Sequence, residues 1–351
     1  MGPGGRRSGG GFRSGGRVPG NGGQGRRRAG GGGGSRVALT IRPGESRDFR
    51  TAYASARAGA GFTTDTLGLF WAVGSDVISY LQGILSQDIG GLAPGQAARS
   101  FLLAPRGKLD ALLWVLRDED RVGIVTDATL RGAVIDSLSR WRLRVDVEFR
   151  DDPRPVLDVW GPADLVPGAP GGWRDKQGLL VAELREQPVR RRLVAGLDPQ
   201  QLEELGAVPI GRRVLDSFRV EAGEPRMGID VDAKTIPQET GLVPEAVSFT
   251  KGCFLGQELV ARIDSRGRVN RHLRGIRMLG PAIPPAGAQV THEGRVVGEL
   301  TTVGESPVMQ APIALALIRR EAQPGSRVAV TWDQAGTEAE IHDLPMTGRP
   351  A

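Results

Sequence analysis

Cysteine is almost absent from this chain of 351 residues, and Cys253 is the only one. A single thiol excludes an internal disulfide framework and any all-cysteine zinc or iron–sulfur site made by this chain alone. Histidine is nearly as scarce: His272, His292 and His342 are too few and too scattered for a histidine metal centre, so no metal site is expected. No apolar run reaches the length of about 18 residues that a membrane span needs. The first residues lack an apolar h-region, so no secretory signal is expected and a cytoplasmic protein is the default. Also missing are a G-x-x-x-x-G-K-[ST] loop, a strand-anchored G-x-G-x-x-G, an H-E-x-x-H and a C-x-x-C. These absences remove the usual phosphate-loop, dinucleotide, zinc-peptidase and dithiol chemistries.

Lysine is the next scarcity. Only Lys108, Lys176, Lys234 and Lys251 occur among 46 basic residues, the rest being arginine. A retained lysine hints at a need for a compact ammonium, and Lys251 lies two residues from the only cysteine. Acid is missing from residues 1–36, which carry eight arginines and 17 glycines. The formal charge of +6 therefore belongs to this tail, because the remaining 38 bases face 40 acids. Such a composition buries too little apolar surface to offset chain entropy, so 1–36 is expected to be disordered. Arg/Gly tails can bind single-stranded nucleic acid. With one aromatic, Phe12, and no repeated RGG spacing, the plainer reading is a low-complexity extension, and nucleic acid is not the expected partner.

The remainder reads as α+β. Val77, Ile78, Leu81, Ile84 and Leu85 follow a helix-start signal at Gly74–Asp76, and Leu130 to Trp141 repeats the helical spacing. Phe101–Ala104 reads as a strand, and 109–116 with 121–126 as a hairpin about Asp118–Asp120. A strand is expected at 145–149. Pro153 and Pro155 mark a boundary. Beyond it, 156–160 and 179–184 read as strands, and 199–205 and 212–221 as helices, the last stopped by Gly223. From Arg271 the pattern is six short strands, at 273–279, 288–291, 295–303, 312–319, 327–332 and 337–342, which suggests a small β-barrel. The expected units are 1–36, 37–150, an inserted 151–210, 211–268 and a C-terminal 269–345.

The segment with most chemistry is Lys251-Gly252-Cys253-Phe254-Leu255-Gly256-Gln257-Glu258-Leu259-Val260-Ala261-Arg262. Glu258 to Ile263 reads as a helix, which places Cys253 at or before a helix N-terminus. Helix amides and a nearby lysine both favour a thiolate. The plainer reading is a buried cysteine acting as a small hydrophobe. A cysteine–histidine nucleophile has little support, since His272 is the nearest histidine in sequence.

That string resembles the K-G-C-[FY]-x-G-Q-E signature of the YgfZ family of folate-binding proteins. Leu81-Gln82-Gly83 with Ser86-Gln87-Asp88-Ile89 resembles a second element of that family, and Leu103-Ala104-Pro105-Arg106-Gly107-Lys108 a third. Arg219-Val220-Glu221-Ala222-Gly223 with Gly228 and Asp230, then Pro237-Gln238-Glu239, is similar to a run shared with the glycine-cleavage T-protein, an aminomethyltransferase. The likeness spans roughly residues 65–345.

The resemblance implies a multi-domain aminomethyltransferase-like fold with a central cavity for tetrahydrofolate, built by 37–150 and 211–268. The T-protein moves a one-carbon unit from an aminomethyl-lipoyl carrier to that folate. The YgfZ branch supports assembly or repair of iron–sulfur enzymes, and the cysteine signature points to it. One cysteine cannot hold a cluster alone, so an accessory factor with iron–sulfur client or assembly partners is the expectation, and a folate-dependent aminomethyltransferase the alternative. Cys253, Lys251 and Asp110 are the candidate catalytic residues, Asp110 standing where the T-protein has a G-x-x-D-D-like run, with Ala111 departing from it. Arg219, Glu221, Gln257, Glu258 and Arg262 are the candidate folate contacts by motif position.

Overall fold

The computed structural model describes residues 45–168 and 171–346, and the expected tail at 1–36 lies outside them. Helix α1 (Glu45–Ala58) leads into β1 (Gly61–Thr64) and β2 (Leu67–Val73). Then come α2 (Val77–Ile84), β3 (Ala97–Leu103), β4 (Leu109–Arg117), β5 (Arg121–Asp127), α3 (Arg131–Ser139) and β6 (Glu148–Asp151). The next stretch holds β7 (Val156–Trp160), β8 (Trp173–Lys176), β9 (Leu179–Arg185), β10 (Arg191–Ala195), α4 (Pro199–Glu204), β11 (Val208–Pro209) and α5 (Arg212–Ala222). Short α6 (Val243–Ala246) and α7 (Gln257–Arg266) precede β12 (Arg271–Met278), β13 (Gln289–His292), β14 (Arg295–Ser306), β15 (Ala311–Arg319), β16 (Arg327–Trp332) and β17 (Ala335–His342). No helix among the described residues is long and apolar enough to cross a membrane.

The strands form three sheets. Five pair in the order β3-β4-β5-β2-β6, and six in the order β11-β1-β7-β10-β9-β8. The last six close into a barrel, β12-β15-β14-β13-β16-β17. The strand expected at 145–149 forms three residues later, where Glu148–Asp151 pairs with β2.

Strand β2 shows why the two open sheets stack. Phe70 and Ala72 join Val77, Leu81, Val134 and Leu138 beneath α2 and α3. Leu69 and Trp71 face the other way, onto Trp173, Leu180, Ala182 and Leu193 of the six-stranded sheet. A strand covered on both faces reads as a continuous apolar run, not an alternating one. Helix α5 packs against α1 through Phe218, Val214 and Leu215 with Phe49 and Tyr53. Its other side meets the barrel, where Val220 packs with Leu273, Ile313 and Leu315.

Candidate functional site

The central cavity is built at the exit of α5. Gly223 ends that helix in the left-handed region, at φ 66°, a conformation glycine adopts at no steric cost. The turn lets the Glu224 amide donate to the Arg219 carbonyl at 2.8 Å and carries the Glu224 side chain into the wall. There its carboxylate is the hub of a buried network. Arg99 Nη2 donates to it at 2.6 Å, Arg185 Nη2 at 3.1 Å and Arg191 Nη1 at 3.1 Å. Arg191 also grips Asp158 with Nε and Nη2, both at 2.9 Å, and lies over the Trp160 ring. Arg99 lies over Trp114 and reaches Glu245 at 3.2 Å. Burial alone would raise the pKa of Glu224, but the three guanidiniums override it and hold the carboxyl well below the usual range.

Two more ion-paired arginines border the same space. Arg226 donates from Nε to Asp127 at 2.8 Å. Arg219, almost fully buried, donates to Asp230 and, at 2.9 Å, to Asp216. Asp230 in turn accepts from the hydroxyls of Thr301 and Thr302, each at 2.6 Å. Leu112, Leu113, Val125 and Leu130 belong to the apolar part of the lining. Every charge in this wall has an opposite partner, while Arg219 Nε is buried with no acceptor. Such a lining suits a polar, uncharged heterocycle more than a bare anion. The space between these residues is narrow, about 60 Å³.

The three motif segments also meet, but at a separate place. Lys251 is buried, and its Nζ donates to the carbonyls of Leu85 at 2.7 Å and Gln87 at 2.8 Å, just past α2. Its ammonium lies 5.2 Å from the centre of the Phe254 ring. Burial lowers its pKa to about 8, opposed by the charge of Asp88. The Leu255 amide donates to the Gly83 carbonyl at 3.1 Å. Gly256, at φ 77°, sits against the turn of Gly107, at φ 73°. Phe254 fills the pocket between Leu103, Leu109 and Val260. The loop is thus fastened on both sides of Cys253, and Cys253 itself is exposed. The reading of this residue as a buried hydrophobe is therefore corrected.

The other sequence candidates disperse. Arg219 lines the cavity. Glu221, two residues on, turns away from it and is fully buried against Tyr53 Oη at 2.6 Å, Ser306 Oγ at 2.6 Å and Arg57 Nη1 at 3.0 Å. Burial and the neighbouring Glu221 push the Tyr53 hydroxyl pKa well up. Gln257 opens α7, while Glu258 and Arg262 form an exposed ion pair along it, outside the cavity lining. Asp110 is the extra residue of a β-bulge: Leu102 pairs with Ala111 and Leu103 with Leu109, leaving Asp110 without a partner. A bulge re-aims a side chain, and here the carboxylate accepts from Ser137 of α3. Sequence reasoning missed Arg99, Asp127, Asp158, Arg191, Glu224 and Arg226, which the fold gathers from distant segments. The one local signal was Glu224, next to the glycine that stops α5.

Comparison with known proteins fits this architecture. Residues 271–347 match the glycine cleavage T-protein C-terminal barrel domain. An aminomethyltransferase of Nostoc sp. is 31% identical over 294 residues, which cover 75% of this chain and 78% of the relative. The chain belongs to the aminomethyltransferase family of glycine-cleavage T-proteins. Another member, the aminomethyltransferase of Thermus thermophilus, is 30% identical over 300 residues, covering 78% of this chain and 83% of its own length. The crystal structure of the glycine cleavage system aminomethyltransferase T from Bartonella henselae superposes with a TM-score of 0.77 at 22% identity. It covers 85% of this chain and 89% of that one, which establishes the aminomethyltransferase fold, including the six-stranded terminal barrel.

Proposed function

We propose that this aminomethyltransferase-family protein binds tetrahydrofolate in the central cavity and transfers a one-carbon unit to or from it. The observation that carries the reading is the cavity at the junction of both open sheets and α5, with Arg219 of the R-x-E-x-G run in its wall. When bound, tetrahydrofolate supplies the amine nitrogens that take up the one-carbon unit. The chain's own residues have separate tasks. Arg219, fixed by Asp216 and Asp230, lends the wall a guanidinium whose Nε–H is buried without an acceptor. The Glu224 network keeps the wall electrically balanced and excludes a stray anion. Asp110 is the candidate proton acceptor by motif position; it accepts from Ser137 of α3 and stands outside the cavity lining.

The test is calorimetric titration of the full chain with tetrahydrofolate, followed by turnover with an aminomethyl donor. Saturable one-to-one binding and turnover lost in Asp110→Asn are the expected results. Absence of binding at micromolar concentrations overturns the reading.

A second reading rests on a different observation, the bracing of an exposed Cys253 by three motif segments. It places the protein in the YgfZ branch, as a cytoplasmic folate-binding factor that supports iron–sulfur client or assembly proteins through the thiol, with Lys251 holding the loop. Binding of folate without turnover favours it, together with loss of iron–sulfur enzyme activity in cells carrying Cys253→Ser. Full rescue by Cys253→Ser rules it out.

A further inference from the structure

A second concavity lies at one end of the barrel, apart from the cavity and the cysteine loop. It is a groove of about 740 Å³ formed by Arg271, Arg295, Arg319 and Arg320 with Glu239 and Glu321. Its charge is set by strand order. Strands β12, β15 and β14 are neighbours in the barrel, and each delivers arginine to the same end. Arg271 and Arg319 stand directly opposite each other in the antiparallel register. Like charges at such a position repel unless each has a counter-charge of its own. Arg320 is brought alongside by its amide, which donates to the Asn270 carbonyl at 2.9 Å.

Two of these arginines already hold carboxylates. Arg271 forms a forked pair with Glu239, Nε to Oε1 at 2.8 Å and Nη2 to Oε2 at 3.2 Å. Arg319 Nε meets Glu321 at 2.9 Å. Arg295 and Arg320 are exposed and form no ion pair among the described residues. The groove thus keeps two surplus positive charges, on a chain whose residues beyond 36 carry slightly more acid than base. Guanidinium forks suit carboxylates. No aromatic residue lines the groove, so it lacks the stacking platforms that single-stranded nucleic acid uses.

The geometry points to a docking groove for an acidic peptide segment of a partner protein, whose carboxylates extend the ladder begun by Glu239 and Glu321 onto Arg295 and Arg320. The inference does not depend on what the central cavity binds. It is tested with the full chain and a dye-labelled hexaglutamate peptide, read by fluorescence anisotropy. The variant Arg295→Glu/Arg320→Glu is compared with Arg140→Glu/Arg327→Glu, which makes the same charge change at exposed positions elsewhere. The groove variant is expected to bind about tenfold more weakly than the control at low salt, with unchanged melting temperature. Equal affinity of the two variants, which the arginine-rich residues 1–36 would produce by themselves, overturns the proposal. So does a single-stranded oligonucleotide that binds the wild type in preference to the peptide and is released by the groove variant.

Discussion

Gly107 and Gly256 touch backbone to backbone. A methyl group built on Gly107 would lie 2.8 Å from the Gly256 carbonyl oxygen, and one on Gly256 would lie 3.0 Å from the Gly107 α-carbon. Both glycines are in the left-handed region. Gly256→Ala therefore meets a steric clash and an unfavourable backbone at once. It is expected to lower stability by about 1–3 kcal/mol, seen as a lower urea midpoint. It should also loosen the Cys253 loop, seen as faster amide exchange at Leu255. An alanine variant as stable as wild type refutes the contact.

Glu224 is shared by three guanidiniums, and its loss leaves Arg191 with Asp158 alone and Arg99 and Arg185 with only the half-exposed Glu245. Glu224→Gln is expected to cost about 3–5 kcal/mol at pH 7. The pH dependence has a definite sign. The folded carboxyl has a pKa below its ordinary 4.5, so its contribution is full above that value and is lost as pH falls beneath it. Urea midpoints between pH 3 and 6 should fall more steeply in wild type than in Glu224→Gln. Parallel curves contradict the network.

Lys251 carries the opposite kind of shift. Its pKa is about 8 in the folded protein against 10.5 in the unfolded chain. The unfolded state therefore holds the extra proton between those values, and stability rises with pH across that window. Lys251→Met should remove this rise. At pH 7 it should also cost about 1–3 kcal/mol, because the Leu85 and Gln87 carbonyls lose their donor. Equilibrium unfolding at pH 7, 8, 9 and 10 separates the two effects.

Cys253 is exposed and forms no disulfide. Native protein should release one equivalent of thionitrobenzoate from Ellman's reagent without denaturant. Cys253→Ser should change stability by no more than about 0.5 kcal/mol. A thiol that reacts only after unfolding contradicts the exposed loop.

What could be read in the sequence follows local physics. The six barrel strands alternate and are closely punctuated, and α2, α5 and α7 carry helical spacing with clear stops. Strand β10 was illegible because it opens with Arg191 and Arg192, whose charges are matched by Asp158 and Asp164 from far along the chain. Strand β2 is apolar on both faces, so its periodicity is silent. The site divides the same way. Motif position singled out Lys251, Cys253 and Arg219 as candidates, but a network joining Arg99, Arg185, Arg191 and Glu224 exists only after two sheets and a helix have met. The Asp110 bulge was hidden for the same reason, since register belongs to a pair of strands.

Glu221 binds in three directions. Its carboxylate takes Tyr53 from α1 and Ser306 from the end of β14, and its carbonyl takes the Met346 amide. Helix α5 lies so near β14 that a methyl group on Gly304 would strike the Ser217 α-carbon at 3.0 Å. The barrel recognisable at 271–347 is therefore not a transplantable cassette. Moving it between relatives without α5 would strip one wall from Val220 and strand a carboxylate, and carrying α5 along would part that helix from Phe49 and Tyr53 of α1, so the barrel travels intact only with both helices.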